Sequence, residues 1–165
     1  MSEDSPPNLI LFVCTANVCR SPMAEALFRH ALDAEKEPLN KLDVASAGVF
    51  AAANQPATEN SCIALKKVKL DLGEHRSQPL TEDLARKAIL ILGMTRSHCE
   101  LIKEGFPNLS AEVRLMREFI PDTRQTEIPD PFGSDLAVYQ ICRDSMVEAI
   151  PPLLDYLRNK ISTTS

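Results

Sequence analysis

Apolar and polar positions fall in blocks along this chain. Leu9 to Cys14 (LILFVC) is an unbroken apolar run, the pattern of a strand buried on both faces. The residues that follow, TANVCRSP, are small and polar. From Met23 to Leu32 (MAEALFRHAL) the apolar positions Ala24, Leu27, Phe28 and Ala31 recur at helical spacing, which predicts a helix. Pro22 suits the first helical position, and Ser21 suits its N-cap. The first unit therefore reads strand, loop, helix.

The pattern then repeats. Leu42 to Ala47 is a short strand ended by Gly48, and Thr58 to Leu70 a second helix. Ala88 to Met94 (AILILGM) is another buried strand, followed by a helix from Thr95 to Lys103. Val113 to Met116 is a weak fourth strand. An irregular, Pro-rich stretch runs from Ile120 to Gly133. Asp135 to Arg158 reads as a closing helix that Pro151-Pro152 should break or kink. Residues 1–8 (MSEDSPPN) are polar and expected to fray. With no repeat and no linker, residues 1–165 are expected to form a single domain. Strands alternating with helices imply an α/β fold, a parallel sheet covered on both faces. Ligands of such sheets bind at the carboxyl ends of the strands, where the loop after Cys14 lies.

Composition narrows the function. The chain has 165 residues, 44% of them hydrophobic, enough for one core. A net charge of −5 argues against a nucleic-acid partner, which calls for a basic face. No stretch approaches the ~20 apolar residues that span a bilayer, and Leu9–Val13 is too short for a secretory signal. The expectation is a cytoplasmic protein with no membrane partner, in a compartment that keeps thiols reduced. Cys14, Cys19, Cys62, Cys99 and Cys142 are odd in number and irregular in spacing. They suit neither a disulfide framework nor a zinc site. No metal and no cofactor is expected.

The loop from Cys14 to Ser21 carries the chemistry. Five residues separate Cys14 from Arg20, and Ser21 follows. A strand end meeting a helix start offers unpaired amides and a dipole that favour an anion. Five residues suffice to wrap amides around a tetrahedral dianion. Arg20 adds a planar fork for two phosphate oxygens. The same field favours the anionic form of the sulfur, to which Ser21 can donate its hydroxyl. The result is a nucleophile under a bound phosphoryl group. The plainer alternative is a buried core thiol and a surface arginine. Chance occurrence of this spacing is roughly a few per cent in a chain this long, and the strand-to-helix context lowers it further.

VCTANVCRSPMAEALFRH closely resembles the signature of the low-molecular-weight protein tyrosine phosphatase family. The likeness continues through SAGV at Ser46–Val49, HRSQPL at His75–Leu80 and DPFG at Asp130–Gly133. It implies a three-layer αβα fold around a four-stranded parallel sheet of order 2-1-3-4. It makes Cys14 the nucleophile, Arg20 the phosphoryl-binding arginine and Asp130 the general acid and base. Thr15, Ala16, Asn17, Val18, Cys19 and Ser21 complete the phosphate loop. By the same resemblance Asn17 ties the loop shape, Ser46 and His75 support it, and Cys14 and Cys19 can pair reversibly under oxidation. Asp130 also has a chemical reason, because the leaving oxygen needs a proton that Cys14 and Arg20 cannot give. The expected partner is a phosphorylated protein or peptide, bound by a monomer or weak dimer.

Some positions depart from the family pattern. Ala16 stands where glycine is common, a cost if that residue needs a positive φ. Phe132 follows the Asp-Pro pair where many tyrosine-specific members carry tyrosine, so one substrate wall changes, and Phe50 is a candidate for another. SAGVF and DPFG are similar to the protein-arginine phosphatase branch. That branch has threonine where Val18 stands, and an aliphatic residue there is the tyrosine-directed choice, so phosphotyrosine is the expected substrate. A thioredoxin-coupled arsenate reductase shares the loop but needs two more redox cysteines near the third strand, where only Cys99 occurs. A binding module that has lost catalysis is the non-enzyme alternative, and Cys14, Arg20 and Asp130 together speak against it.

Overall fold

A computed structural model describes residues 6–164. Four strands, β1 (Leu9–Cys14), β2 (Asp43–Gly48), β3 (Ala88–Gly93) and β4 (Glu112–Leu115), form one parallel sheet. Its order is β2-β1-β3-β4, as the family likeness implied. Five helices flank it: α1 (Arg20–Asp33), α2 (Glu59–Lys66), α3 (Glu82–Arg86), α4 (Arg96–Gly105) and α5 (Leu136–Thr164).

The unbroken apolar run of β1 has a simple cause. Successive side chains alternate between the two faces of a strand. Ile10 and Phe12 join the larger core under α1, α2 and α5, while Leu9, Leu11 and Val13 join a smaller core under α3 and α4. A central strand with helices on both sides has no polar face to keep.

Several boundaries differ from the sequence reading. Helix α1 starts at Arg20, not Pro22, with Cys19 as N-cap and no side-chain cap. Arg20 and Ser21 thus belong to the first turn, and Pro22 sits where a missing N–H costs no intrahelical bond. Helix α2 stops at Lys66 because Lys69 adopts φ 67°. The chain closes by bonds from Leu70 N to Leu65 O at 3.0 Å and from Lys69 N to Lys66 O at 2.9 Å, the Schellman pattern. The short helix α3 was not anticipated; Thr81 caps it by accepting the Leu84 N–H at 3.2 Å.

Helix α5 runs unbroken through Pro151 and Pro152 to Thr164, which corrects the expected break. Buried Met146, Ala149, Ile150, Leu153, Leu154 and Leu157 hold both halves against the core. The carbonyls that lose a helical donor belong to Val147 and Glu148, both exposed, where water can bond to them. At the other end, residues 1–5 of the segment expected to fray lie outside the described residues. Asn8 is tied down: its carbonyl accepts the Asp43 N–H at 3.0 Å.

Candidate active site

All four strands deliver chain to one edge of the sheet. The loop Cys14–Cys19 leaves β1 and enters α1. After β2 the chain lies directly on that loop. Val49 N donates to Cys14 O at 3.0 Å, and Phe50 N donates to Thr15 O at 2.9 Å. Gly48 makes this approach possible, since a Cβ there would stand 2.5 Å from Thr15 O and 3.0 Å from Asn17 N. The turn after β3 brings His98, and the segment after β4 brings Ile128 and Asp130.

The sulfur of Cys14 is buried and faces donors. Ser21 Oγ lies 3.0 Å away, and the Ser21 N–H, from the first turn of α1, points at it from 3.5 Å. The direction of the Ser21 hydroxyl follows from its neighbours. Asn17 Nδ2 donates to Ser21 Oγ at 2.7 Å and to Ser46 Oγ at 2.9 Å. The Asn17 amide cannot be turned round, because its Oδ1 accepts the Gln78 N–H at 2.9 Å. The Ser46 hydroxyl donates to Glu25 Oε1 at 2.6 Å. Ser21 therefore accepts from Asn17 and has its proton free for the sulfur, with the Ala47 carbonyl at 3.4 Å the weaker alternative.

Asn17 is fully buried at φ 60°, a conformation asparagine tolerates better than most residues. His75 Nε2 donates to its carbonyl at 2.7 Å. The structure thus brings Asn17, Ser21, Ser46 and His75 into one network. Gln78 and Glu25 belong to it too, and the sequence reading named neither as a site residue. Ala16 carries no positive φ among the described residues, so the expected cost of alanine there does not arise.

Arg20 is 3% exposed. Its Nη1 donates to the Ile128 carbonyl at 2.9 Å, Nη2 lies 3.5 Å from Thr15 Oγ1 and 3.9 Å from Asp130 Oδ2, and Nε is buried without a partner. A buried N–H left unbonded is costly, which marks the Nε edge of the guanidinium as one with donor capacity to spare. Asp130 stands at the mouth, with Oδ1 accepting the Phe132 N–H at 3.0 Å, which leaves Oδ2 as the oxygen nearer Arg20. Phe50 and Phe132 are 71% and 67% exposed.

His98 was missed by the sequence reading. Its Nδ1 accepts the Thr95 N–H at 3.2 Å, closing a capping box with the Thr95 hydroxyl, and Nε2 lies 2.9 Å from Thr15 Oγ1. The first bond fixes the proton on Nε2, so His98 donates to Thr15. Burial and the nearby Arg20 charge push its pKa down to about 4, against the opposing pull of Asp130 and Glu127. The only sequence signal was a histidine three residues after a possible N-cap.

Cys19 is buried, 3.4 Å from Tyr139 Oη and 3.5 Å from Thr58 Oγ1. All five cysteines are free thiols. Burial pushes Tyr139 and Cys142 up to about 12. Among the described residues no three His, Cys, Asp or Glu side chains gather as a metal site would need, and no helix is long and apolar enough to cross a membrane.

The sheet edge, the buried sulfur and the guanidinium beside the loop fit an α/β enzyme of phosphoryl chemistry. The family model described as low molecular weight phosphotyrosine protein phosphatase matches residues 9–163, and the chain belongs to that family. A protein-arginine-phosphatase of Bacillus subtilis (strain 168) is 41% identical over 149 residues, 90% of this chain and 96% of that protein. A probable low molecular weight protein-tyrosine-phosphatase, EpsP, of Ralstonia solanacearum is 34% identical over 131 residues, 79% of this chain and 83% of that one. A solved structure of the YwlE arginine phosphatase, a cysteine-to-serine mutant with a phosphorylated active site serine, is 37% identical. It covers 91% of this chain and 95% of its own at a TM-score of 0.79. The chain is a phosphatase of this family.

Proposed function

We propose that the chain is a protein tyrosine phosphatase that works through a phosphocysteine on Cys14. The observation that carries this reading is Arg20, buried against Thr15 of the loop with Nη1 tied to Ile128 and Nε unpartnered. Nε and Nη2 are the parallel donors a guanidinium offers to two phosphoryl oxygens. Cys14 sulfur attacks phosphorus, the S–P bond forms, and the P–O bond to the phenol breaks. Asp130 gives its proton to the departing oxygen. Water then attacks phosphorus and yields a proton to the Asp130 carboxylate, while the sulfur leaves with its electron pair towards the Ser21 hydroxyl. Arg20 and the loop amides hold the charge on the equatorial oxygens throughout. The phosphorylated serine of the YwlE mutant supports a covalent intermediate on the matching residue.

Asp130→Asn tests the acid role. On phosphotyrosine kcat should fall by about 10²- to 10³-fold. On p-nitrophenyl phosphate, whose phenolate leaves without a proton, the fall should be much smaller. Equal losses on both substrates would remove Asp130 from the role.

Val18 decides between substrates in this reading. It is half-buried against the larger core and has no hydroxyl to orient a water. The alternative, a protein-arginine phosphatase, draws support from the 41% identity to the Bacillus subtilis enzyme. Initial rates on matched phosphotyrosine and phosphoarginine peptides separate the two. Phosphotyrosine should be preferred, and Val18→Thr should shift the ratio towards phosphoarginine. A wild-type preference for phosphoarginine would replace the first reading with the second. The chain would act as one unit, monomer or weak dimer, in the cytoplasm.

A further inference from the structure

We infer that His98 is a positioning residue for the phosphate loop, acting through the Thr15 hydroxyl. The inference rests on the phosphatase reading above and adds a residue to it. Thr15 is the first residue after the nucleophile. Its Oγ1 faces two donors, His98 Nε2 at 2.9 Å and Arg20 Nη2 at 3.5 Å. A hydroxyl whose oxygen accepts from both sides turns its own proton away from them. Thr15 is exposed at the mouth of the loop, so that proton is presented on the side from which a phosphoryl group enters. His98 thereby makes Thr15 a donor to substrate and holds it against the Arg20 fork.

His98 is well held for this work. It is 4% exposed, and its ring is fixed at both nitrogens, by the Thr95 N–H and by Thr15. The capping box at the start of α4 thus sets the tautomer, and β3 and α4 transmit the rigidity of the sheet to the loop. An uncharged donor also suits the place, because a second cation would repel Arg20. This neighbour is not local in sequence: Thr15 and His98 are 83 residues apart.

A double-mutant cycle tests the inference, with kcat/KM on a phosphotyrosine peptide and the Ki of inorganic phosphate as readouts. One lost hydrogen bond of ordinary strength corresponds to about a tenfold loss. His98→Ala and Thr15→Val should each lower kcat/KM by about tenfold and weaken phosphate to a similar degree. The double variant should be no worse than Thr15→Val alone. Thr15→Ser, which keeps the hydroxyl, should retain most activity, as should His98→Gln, whose amide can still donate. Additive losses in the double variant would overturn the inference, as would an unchanged kcat/KM in His98→Ala. If both His98 variants fail to fold, Thr15→Val against Thr15→Ser carries the test, and equal activity of those two overturns it. A wild-type protein that neither turns over the peptide nor binds phosphate would instead remove the phosphatase reading itself.

Discussion

Cys14→Ser is expected to abolish turnover, by more than about 10⁴-fold, while leaving the fold in place. The side chain is 2% exposed at the end of a central strand, and serine is close to cysteine in size. The packing change is therefore small. The chemical change is not. In the proposed mechanism the sulfur attacks phosphorus under the Ser21 hydroxyl and N–H, whereas a serine hydroxyl is a far weaker nucleophile near neutral pH. It also leaves far less readily from phosphorus in the second step. Steady-state rates with circular dichroism and thermal unfolding give the answer. Appreciable turnover in a folded Cys14→Ser protein would end the phosphocysteine mechanism.

Arg20→Lys should be nearly as damaging, with kcat/KM lowered by about 10²- to 10³-fold. An ammonium keeps the charge but not the planar fork. Arg20 has separate duties for separate nitrogens. Nη1 holds the Ile128 carbonyl, Nη2 meets Thr15, and Nε is buried without a partner. One lysine nitrogen cannot do all of this. The loss should appear in kcat as well as in phosphate binding, because the Ile128 bond also orders the segment that carries Asp130. A loss confined to KM would mean that Arg20 serves only to bind ground-state substrate.

The strand–loop–helix core of this protein is written plainly in its sequence. Leu9–Cys14 had to be a central strand because it has no polar face, and the loop after it had to reach the sheet edge. Other features depend on partners far away in the chain. Pro151-Pro152 reads locally as a break, yet apolar residues on both sides of it meet the same core. Helix α3 is only five residues long, too short for a period to show, though Thr81 and the acidic pair after it were a usable sign. The sheet order came from resemblance to a family and not from periodicity.

The site divides in the same way. Cys14, Arg20 and Ser21 are adjacent enough for spacing to express their chemistry. Asn17, Ser46 and His75 come together only through the sheet, and resemblance pointed to them. Glu25, Gln78 and His98 carried no such pointer. Gln78 contributes through a backbone N–H, which any residue but proline possesses, so no side-chain pattern marks it. His98 reads locally as a helix residue, and only the fold sets it against Thr15.

The bond from Arg20 to Ile128 uses a main-chain carbonyl. No side-chain replacement at position 128 deletes that acceptor, so the anchor of the acid loop is insensitive to the loop's own spelling. The aim of the guanidinium is thereby uncoupled from the side chains of this segment. Residues around Asp130, the exposed Phe132 among them, can change while the guanidinium keeps its aim. In the proposed reading, substitutions in this surface segment would add to the choice that Val18 makes inside the loop.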